Sequence, residues 1–194
     1  GRQNFENLRN EGYVYVDKTA LIYKLVKEGS IYFLSRPRRF GKSLLLSTLE
    51  AYFTGKKELF TGLAMEQLEK EWHKYPVLHL DLNAERYENI EELKNILHTY
   101  LRQWENEYGS NESHNISLSQ RFRAVIRAAK EKTGRNVVVL IDEYDKPILQ
   151  AIGNGSLQEE FRNMLKAFYG VLKSADADLK FALLTGVTKF AKVS

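Results

Sequence analysis

Four short apolar runs punctuate the chain: Ile31–Leu34, Val77–Leu82, Val137–Ile141 and Leu179–Leu184. The third, Val-Val-Val-Leu-Ile, shows no polar alternation, which predicts a strand buried on both faces. Helical spacing fills the gaps. Ser43–Phe53 is one helical stretch and Glu66–Tyr75 a shorter one. Ile90, Leu93, Leu97, Tyr100/Leu101 and Trp104 step by three or four and predict a long amphipathic helix. Leu118, Phe122, Val125/Ile126 and Ala129 predict the next, with Ser117 as its N-cap. Leu157, Phe161, Met164/Leu165, Phe168 and Leu172 predict another, capped by Ser156. Near the start, Tyr13–Thr19 is aromatic and β-branched, and Ala20–Lys27 reads as a helix capped by Thr19 or Asp17. Gly109–Asn115 and Gly153–Ser156 are turn-rich and read as loops. Strands alternating with helices predict crossover units and an α/β fold, with a mostly parallel sheet flanked by helices on both faces.

Composition narrows the class. A chain of 194 residues is expected to form one domain. Its 43% hydrophobic and 28% charged residues are ordinary globular values, which exclude disordered and low-complexity classes. Cysteine is absent, so a disulfide scaffold, an iron–sulfur site and a thiolate zinc site are excluded. No apolar run approaches the ~20 residues that span a bilayer, and the first residues lack an apolar signal core. The expectation is a cytoplasmic protein without membrane contact. The net charge of +4 permits an anionic ligand without requiring one. Its distribution says more: Arg36, Arg38, Arg39 and Lys42 lie within seven residues.

Those charges belong to the strongest motif. Ser35-Arg-Pro-Arg-Arg-Phe-Gly-Lys-Ser43 follows an apolar run and opens a Leu-rich helix, and its Gly-Lys-Ser is the second half of a P-loop. Backbone N–H groups at such a helix start face phosphate, and the helix dipole favours negative charge. Lys42 would reach the β- and γ-phosphates and Ser43 would ligate Mg²⁺. The full pattern has Gly five residues before Gly41, where this chain has Arg36, so the entry turn must differ; Pro37 restricts φ there. The expected nucleotide-binding stretch is Pro37, Arg38, Arg39, Phe40, Gly41, Lys42, Ser43 and Leu44.

A second signal is Val137-Val-Val-Leu-Ile-Asp-Glu-Tyr-Asp145, an apolar strand ending in two acids. This is the Walker B arrangement: Asp142 would hold Mg²⁺, and Glu143 would accept a proton from the attacking water. Strand C-termini in an open parallel sheet share one crevice, so the two motifs should meet there. Thr185, at the tip of the last apolar run, is a candidate γ-phosphate sensor, which makes Glu143, Lys42 and Thr185 the expected catalytic set. Asp145 either orients Glu143 or turns the chain, and Asp81 reads as a strand-end cap. His73, His79, His98 and His114 lack metal-ligand spacing. His79 alternates with leucines and so faces away from them. Trp72 and Trp104 read as core residues on helix faces. Tyr13–Thr19 has two readings: an edge strand packed on the core, or an aromatic wall for a nucleotide base.

Taken together, Phe5-Glu-Asn-Leu-Arg9, Tyr15-Val-Asp-Lys-Thr19, the block from Phe33 to Leu49, Ile141-Asp-Glu-Tyr-Asp145 and Leu184-Thr-Gly-Val-Thr-Lys-Phe190 resemble the bacterial AAA-ATPase-like proteins, over nearly the whole chain. Those proteins often carry a C-terminal nuclease-type domain of the PD-(D/E)xK superfamily, and their loop typically opens Ser-Arg-Pro-Arg-Arg, as here. The resemblance implies a P-loop NTPase of ASCE type, with the sensor strand between the P-loop and Walker B strands. Residues 1–30 would be a segment preceding the core. It implies ATP and Mg²⁺ as ligands and ATP hydrolysis as the reaction. Nucleic acid, reached through a fused nuclease-like domain, and further copies of the chain are the partner classes it allows. The chain stops soon after the sensor strand, so a lid and any nuclease domain are expected to lie outside it. Two readings from other classes stand beside the ATPase: a nucleotide-holding switch or scaffold without turnover, and a nucleic-acid-binding regulatory domain with its arginines on phosphate.

Overall fold

Every residue of Val137–Asp142 is buried, and its side chains divide between two separate cores. Val137, Val139 and Ile141 enter one, Val138 and Leu140 the other. A strand apolar on both faces must be covered on both, and the rest of the architecture does that. The computed structural model describes residues 4–35, 41–83, 86–110 and 116–188. Among them lie eight α-helices and one sheet of four strands: β1 (Ile31–Ser35), β2 (Val77–Asp81), β3 (Val137–Asp142) and β4 (Leu179–Gly186). All pairings are parallel, in the order β1-β4-β3-β2.

That order assigns the helices to faces. Helices α5 (Ile90–Tyr108) and α6 (Leu118–Thr133) connect β2 to β3. Helices α7 (Lys146–Gln150) and α8 (Gly155–Ser174) connect β3 to β4. Both steps move the same way across the sheet, so right-handed crossovers place these helices on one face. The step from β1 to β2 runs the opposite way and puts α3 (Lys42–Phe53) on the other. There α3 joins α1 (Phe5–Asn10), α2 (Thr19–Glu28) and α4 (Ala64–Leu68) around Phe53, Phe60, Phe181 and Leu183.

The amphipathic patterns are borne out for α5, α6 and α8, whose apolar positions fill the first core. Ser117 caps α6 in a reciprocal capping box with Gln120. Other expectations are corrected. The cap of α8 is Asn154, whose side chain accepts from Leu157 N–H, and Ser156 lies inside the helix. The expected helix Glu66–Tyr75 does not form; α4 ends at Leu68. The Glu69 carboxylate takes the N–H groups of Lys70 and Glu71, and Pro76 disfavours helical backbone at Tyr75. Trp72 therefore packs from an irregular segment, against Phe60 and Tyr52. No strand forms over Tyr13–Thr19. Asp17 instead accepts from Thr19 N–H and from Ala64 N–H, while Thr19 Oγ1 accepts from Met65 N–H, which fastens α2 to α4. The short helices α1 and α7 have too few residues to show a period. Among the described residues, no helix is long and apolar enough to cross a membrane.

Phe181, on β4, is fully buried and packs against the rings of Tyr32 and Phe53. Phe181→Ala is expected to lower unfolding free energy by about 3–5 kcal/mol, measured by urea titration with an unchanged m-value.

Candidate functional site

The sheet register lines up the strand tips. Ser35 pairs with Gly186, Leu34 with Thr185, and Asp81 with Asp142. The N-terminus of α3 arrives at the same edge. Gly41 precedes it with φ 76°, a left-handed conformation that glycine adopts without cost. Lys42 follows and is only 6% exposed, its Nζ donating to the Gly186 carbonyl at 3.2 Å. Ser43 Oγ lies 3.4 Å from Asp142 Oδ2, donating to it. Thr185 Oγ1 donates to the other oxygen, Asp142 Oδ1, at 2.7 Å. One carboxylate thus gathers hydroxyls from α3 and β4 at the tip of β3, so the two sequence motifs do meet in space. Thr185 is fully buried, and its hydroxyl is engaged with Asp142.

Glu143 is placed differently. Its φ is 56°, a left-handed conformation that costs a non-glycine residue about 1 kcal/mol or more. Its Oε2 is buried and has no hydrogen-bond partner among the described residues. Burial pushes its carboxyl above the usual carboxylate range, the nearby Lys42 ammonium opposes this, and the Asp142 charge adds to the rise.

A clamp holds the turn after β4 against the turn after β3. Asp145 is fully buried and its carboxylate accepts from Val187 N–H, Thr188 N–H and Thr188 Oγ1. Tyr144 N–H donates to Thr185 O and its hydroxyl to Thr188 O. Asp145 therefore anchors the β4 turn. The sequence marked Asp145 but offered no sign of this partner, 42 residues downstream. Gly186 carries no local signal in the sequence. A Cβ there would stand 2.3 Å from the Tyr144 ring and 2.6 Å from Asp145 Oδ1.

Two cavities flank α3. One, of about 490 Å³, is polar and runs from Ser43 and Asp142 to Asp81, His79 and Glu50. Asp81 caps its strand end by accepting from Asn83 N–H, and burial raises its carboxyl pKa. His79 does face away from Leu78 and Leu80, onto Glu50 of α3 at 3.2 Å. The second cavity, of about 730 Å³, is mainly apolar and opens beside Gly41, Lys42 and Leu44. Tyr15, Val16 and Lys18 form one wall, Leu21 and Ile22 of α2 another, and Phe33 of β1 a third. Tyr15 packs edge-on against Phe5, while Val16 is 72% exposed at the rim. Arg36, Pro37, Arg38, Arg39 and Phe40 lie outside the described residues.

The sequence model of the AAA-ATPase-like family, described as a predicted AAA-ATPase, matches residues 1–194. The chain belongs to the AAA-ATPase-like family. It is also 40% identical to an uncharacterised protein in the vnfD 5′ region of Azotobacter chroococcum mcd 1, over 100% of this chain and 38% of that protein. The chain thus spans well under half the length of this curated relative. Within the family match, the blocks around Gly41-Lys-Ser43 and Asp142-Glu143 are the parts that the fold brings to one sheet edge.

Because the Tyr144 ring and the Asp145 carboxylate occupy the space beside Gly186, Gly186→Ala is expected to destabilise the protein by about 1–3 kcal/mol through overpacking. A lowered denaturant midpoint measures this, and an unchanged midpoint would show that the clamp yields freely.

Proposed function

We propose that this AAA-ATPase-like chain binds Mg²⁺-ATP at the N-terminus of α3 and hydrolyses it, as a P-loop core of ASCE type. The observation that carries the reading is the Asp142 carboxylate, within reach of the Ser43 hydroxyl and tied to Thr185. The strand order adds to it, since β4 lies between the strand leading into the Gly-Lys-Ser turn and the strand ending in Asp-Glu.

The donors fit the metal. Mg²⁺ favours hard oxygen ligands and is usually held by one or two carboxylates together with phosphates and water. Ser43 and Asp142 supply two such oxygens, and the ion would neutralise phosphate charge as the terminal bond breaks. Lys42, buried and cationic, would leave Gly186 O for the phosphates. Thr185 keeps Asp142 oriented and acts as a positioning residue. Glu143 Oε2, which has no partner among the described residues, would be the proton acceptor, and its raised pKa brings it nearer to the range where a carboxylate is an effective general base. The apolar cavity beside Lys42 would receive the base, with Tyr15 and Val16 along its wall.

Two experiments test the reading. Lys42→Ala should weaken Mg²⁺-ATP binding by about tenfold or more in calorimetry, since a charge-assisted contact contributes about 1.5–3 kcal/mol. Glu143→Gln should retain binding and lose phosphate release, because an amide cannot take the proton. Equal ATP affinity in the first variant, or equal turnover in the second, refutes the corresponding role.

The base site has its own test. Val16→Glu sits at an exposed position and should leave folding intact. It should reduce ATP affinity while inorganic triphosphate binds as before. Equal loss for both ligands would place the base elsewhere.

A further inference from the structure

The opposite end of the sheet carries a second polar cavity, of about 270 Å³. It forms where three strands begin. Tyr75 precedes β2, its N–H held by the Phe53 carbonyl at the C-terminal end of α3. Arg135 follows the left-handed Gly134 that ends α6 and stands just before β3. Lys180 is the second residue of β4, and the β3–β4 register shifts there: Val137 pairs with Leu179 and Val138 with Phe181. Lys180 is left without a partner in β3, and such a shift re-aims a side chain.

The charges in this cavity do not cancel evenly. Lys27 lies 3.4 Å from Glu69, whose carboxylate also accepts from the Tyr52 hydroxyl and from the N–H groups of Lys70 and Glu71. His73 lies 3.2 Å from Glu71. Arg135 and Lys180 are half-buried, yet neither has a carboxylate within ion-pair distance among the described residues. Both instead hold their cationic groups over the Tyr75 ring, at 5.7 Å and 5.5 Å from its centroid. An aromatic face offsets part of the lost hydration of a cation, but it accepts none of the guanidinium's fork of N–H donors.

We propose that this cavity binds a small phosphomonoester, with the phosphate held between Arg135 and Lys180 at the edge of the Tyr75 ring. A guanidinium fork and a lysine ammonium lining one cavity and sharing one aromatic ring suit a tetrahedral dianion better than a single-point anion. A volume of about 270 Å³ suits a small molecule. Glu69 and Glu71, which also line the cavity, oppose a polyanionic strand and favour a ligand whose other end donates hydrogen bonds. The site lies at the far end of α3 from Lys42 and does not depend on the nucleotide reading.

The test uses the full chain carrying Lys42→Ala, which removes the phosphate-binding charge at the other end of α3. Inorganic phosphate and methyl phosphate are titrated at constant ionic strength, followed by NMR of the backbone amides and the arginine Nε–H groups. Saturable shifts at Tyr75, Arg135 and Lys180 are expected, absent when sodium chloride replaces the phosphate. Adding Arg135→Gln or Lys180→Met should weaken each titration by about tenfold, the loss of one charge-assisted contact. Should one of these variants fail to fold, the other carries the comparison. The proposal is overturned by the absence of a saturable shift, by equal affinity in a folded variant, or by a short single-stranded DNA that displaces methyl phosphate and binds more tightly, which would make this a nucleic-acid surface.

Discussion

A strand buried on both faces yet ending in a carboxylate is the constraint on which the rest of the molecule depends. Val137–Ile141 cannot face water on either side, so helices must cover both. The strand then runs straight from the core to the sheet edge and delivers Asp142 where side chains from other elements converge. Because Asp142 is nearly buried, its charge needs donors. Ser43 from α3 and Thr185 from β4 supply them. The hydrophobic architecture and the polar site are therefore parts of one arrangement: the burial that stabilises the sheet also holds the acid in place.

The turns beyond β3 and β4 extend this logic. Tyr144 and Asp145 contribute no group to the proposed reaction, but they bind the Gly186–Thr188 turn through hydrogen bonds to its backbone and to Thr188 Oγ1. That turn presents the Gly186 carbonyl to Lys42. Glu143, between the acid and the clamp, is left in a strained backbone conformation with a buried oxygen that has no partner among the described residues. Local strain and an acceptor without a partner among the described residues, both held by well-satisfied neighbours, are consistent with the role proposed for Glu143.

Helix α3 links the two ends of the sheet. Its first turn carries Lys42 and Ser43, its middle carries Glu50 against His79, and its last turns carry Tyr52 and Phe53 into the distal polar cavity and the Tyr75 segment. The His79–Glu50 pair holds this helix to β2. The Glu50 carboxyl is pulled below its usual range by its hydrogen bond from His79. Burial works to lower the imidazole pKa, but Glu50 outweighs it and raises it. The stability the pair contributes is thus fully present between the ordinary carboxylate and imidazole values. It fades as pH falls through the lowered Glu50 pKa or rises through the raised His79 pKa.

The sequence by itself determined the class of fold and marked the residues that the proposed chemistry uses. Unbroken apolar runs, three-to-four spacing and capping residues such as Ser117 are local signals, and local physics decides them. The same holds for Gly41-Lys-Ser43 and Asp142-Glu143, each of which follows an apolar strand, so that a parallel sheet already implied a shared edge. Tertiary structure decided what depends on distant partners. Glu66–Tyr75 has helical spacing, but a buried Glu69 takes the amide groups that would continue the helix. Tyr13–Thr19 has strand composition, but Asp17 and Thr19 spend their oxygens on α4, which leaves Tyr15 and Val16 as a cavity wall. Thr185 and Asp145 were visible as polar residues near strand ends; their partners, Asp142 and the Val187–Thr188 backbone, lie more than 40 residues away. The need for glycine at position 186 comes from a ring and a carboxylate folded against it. Periodicity records how a segment meets a core, whereas hydrogen bonds and close approaches between remote segments leave no period in the chain, and only the folded arrangement determines them.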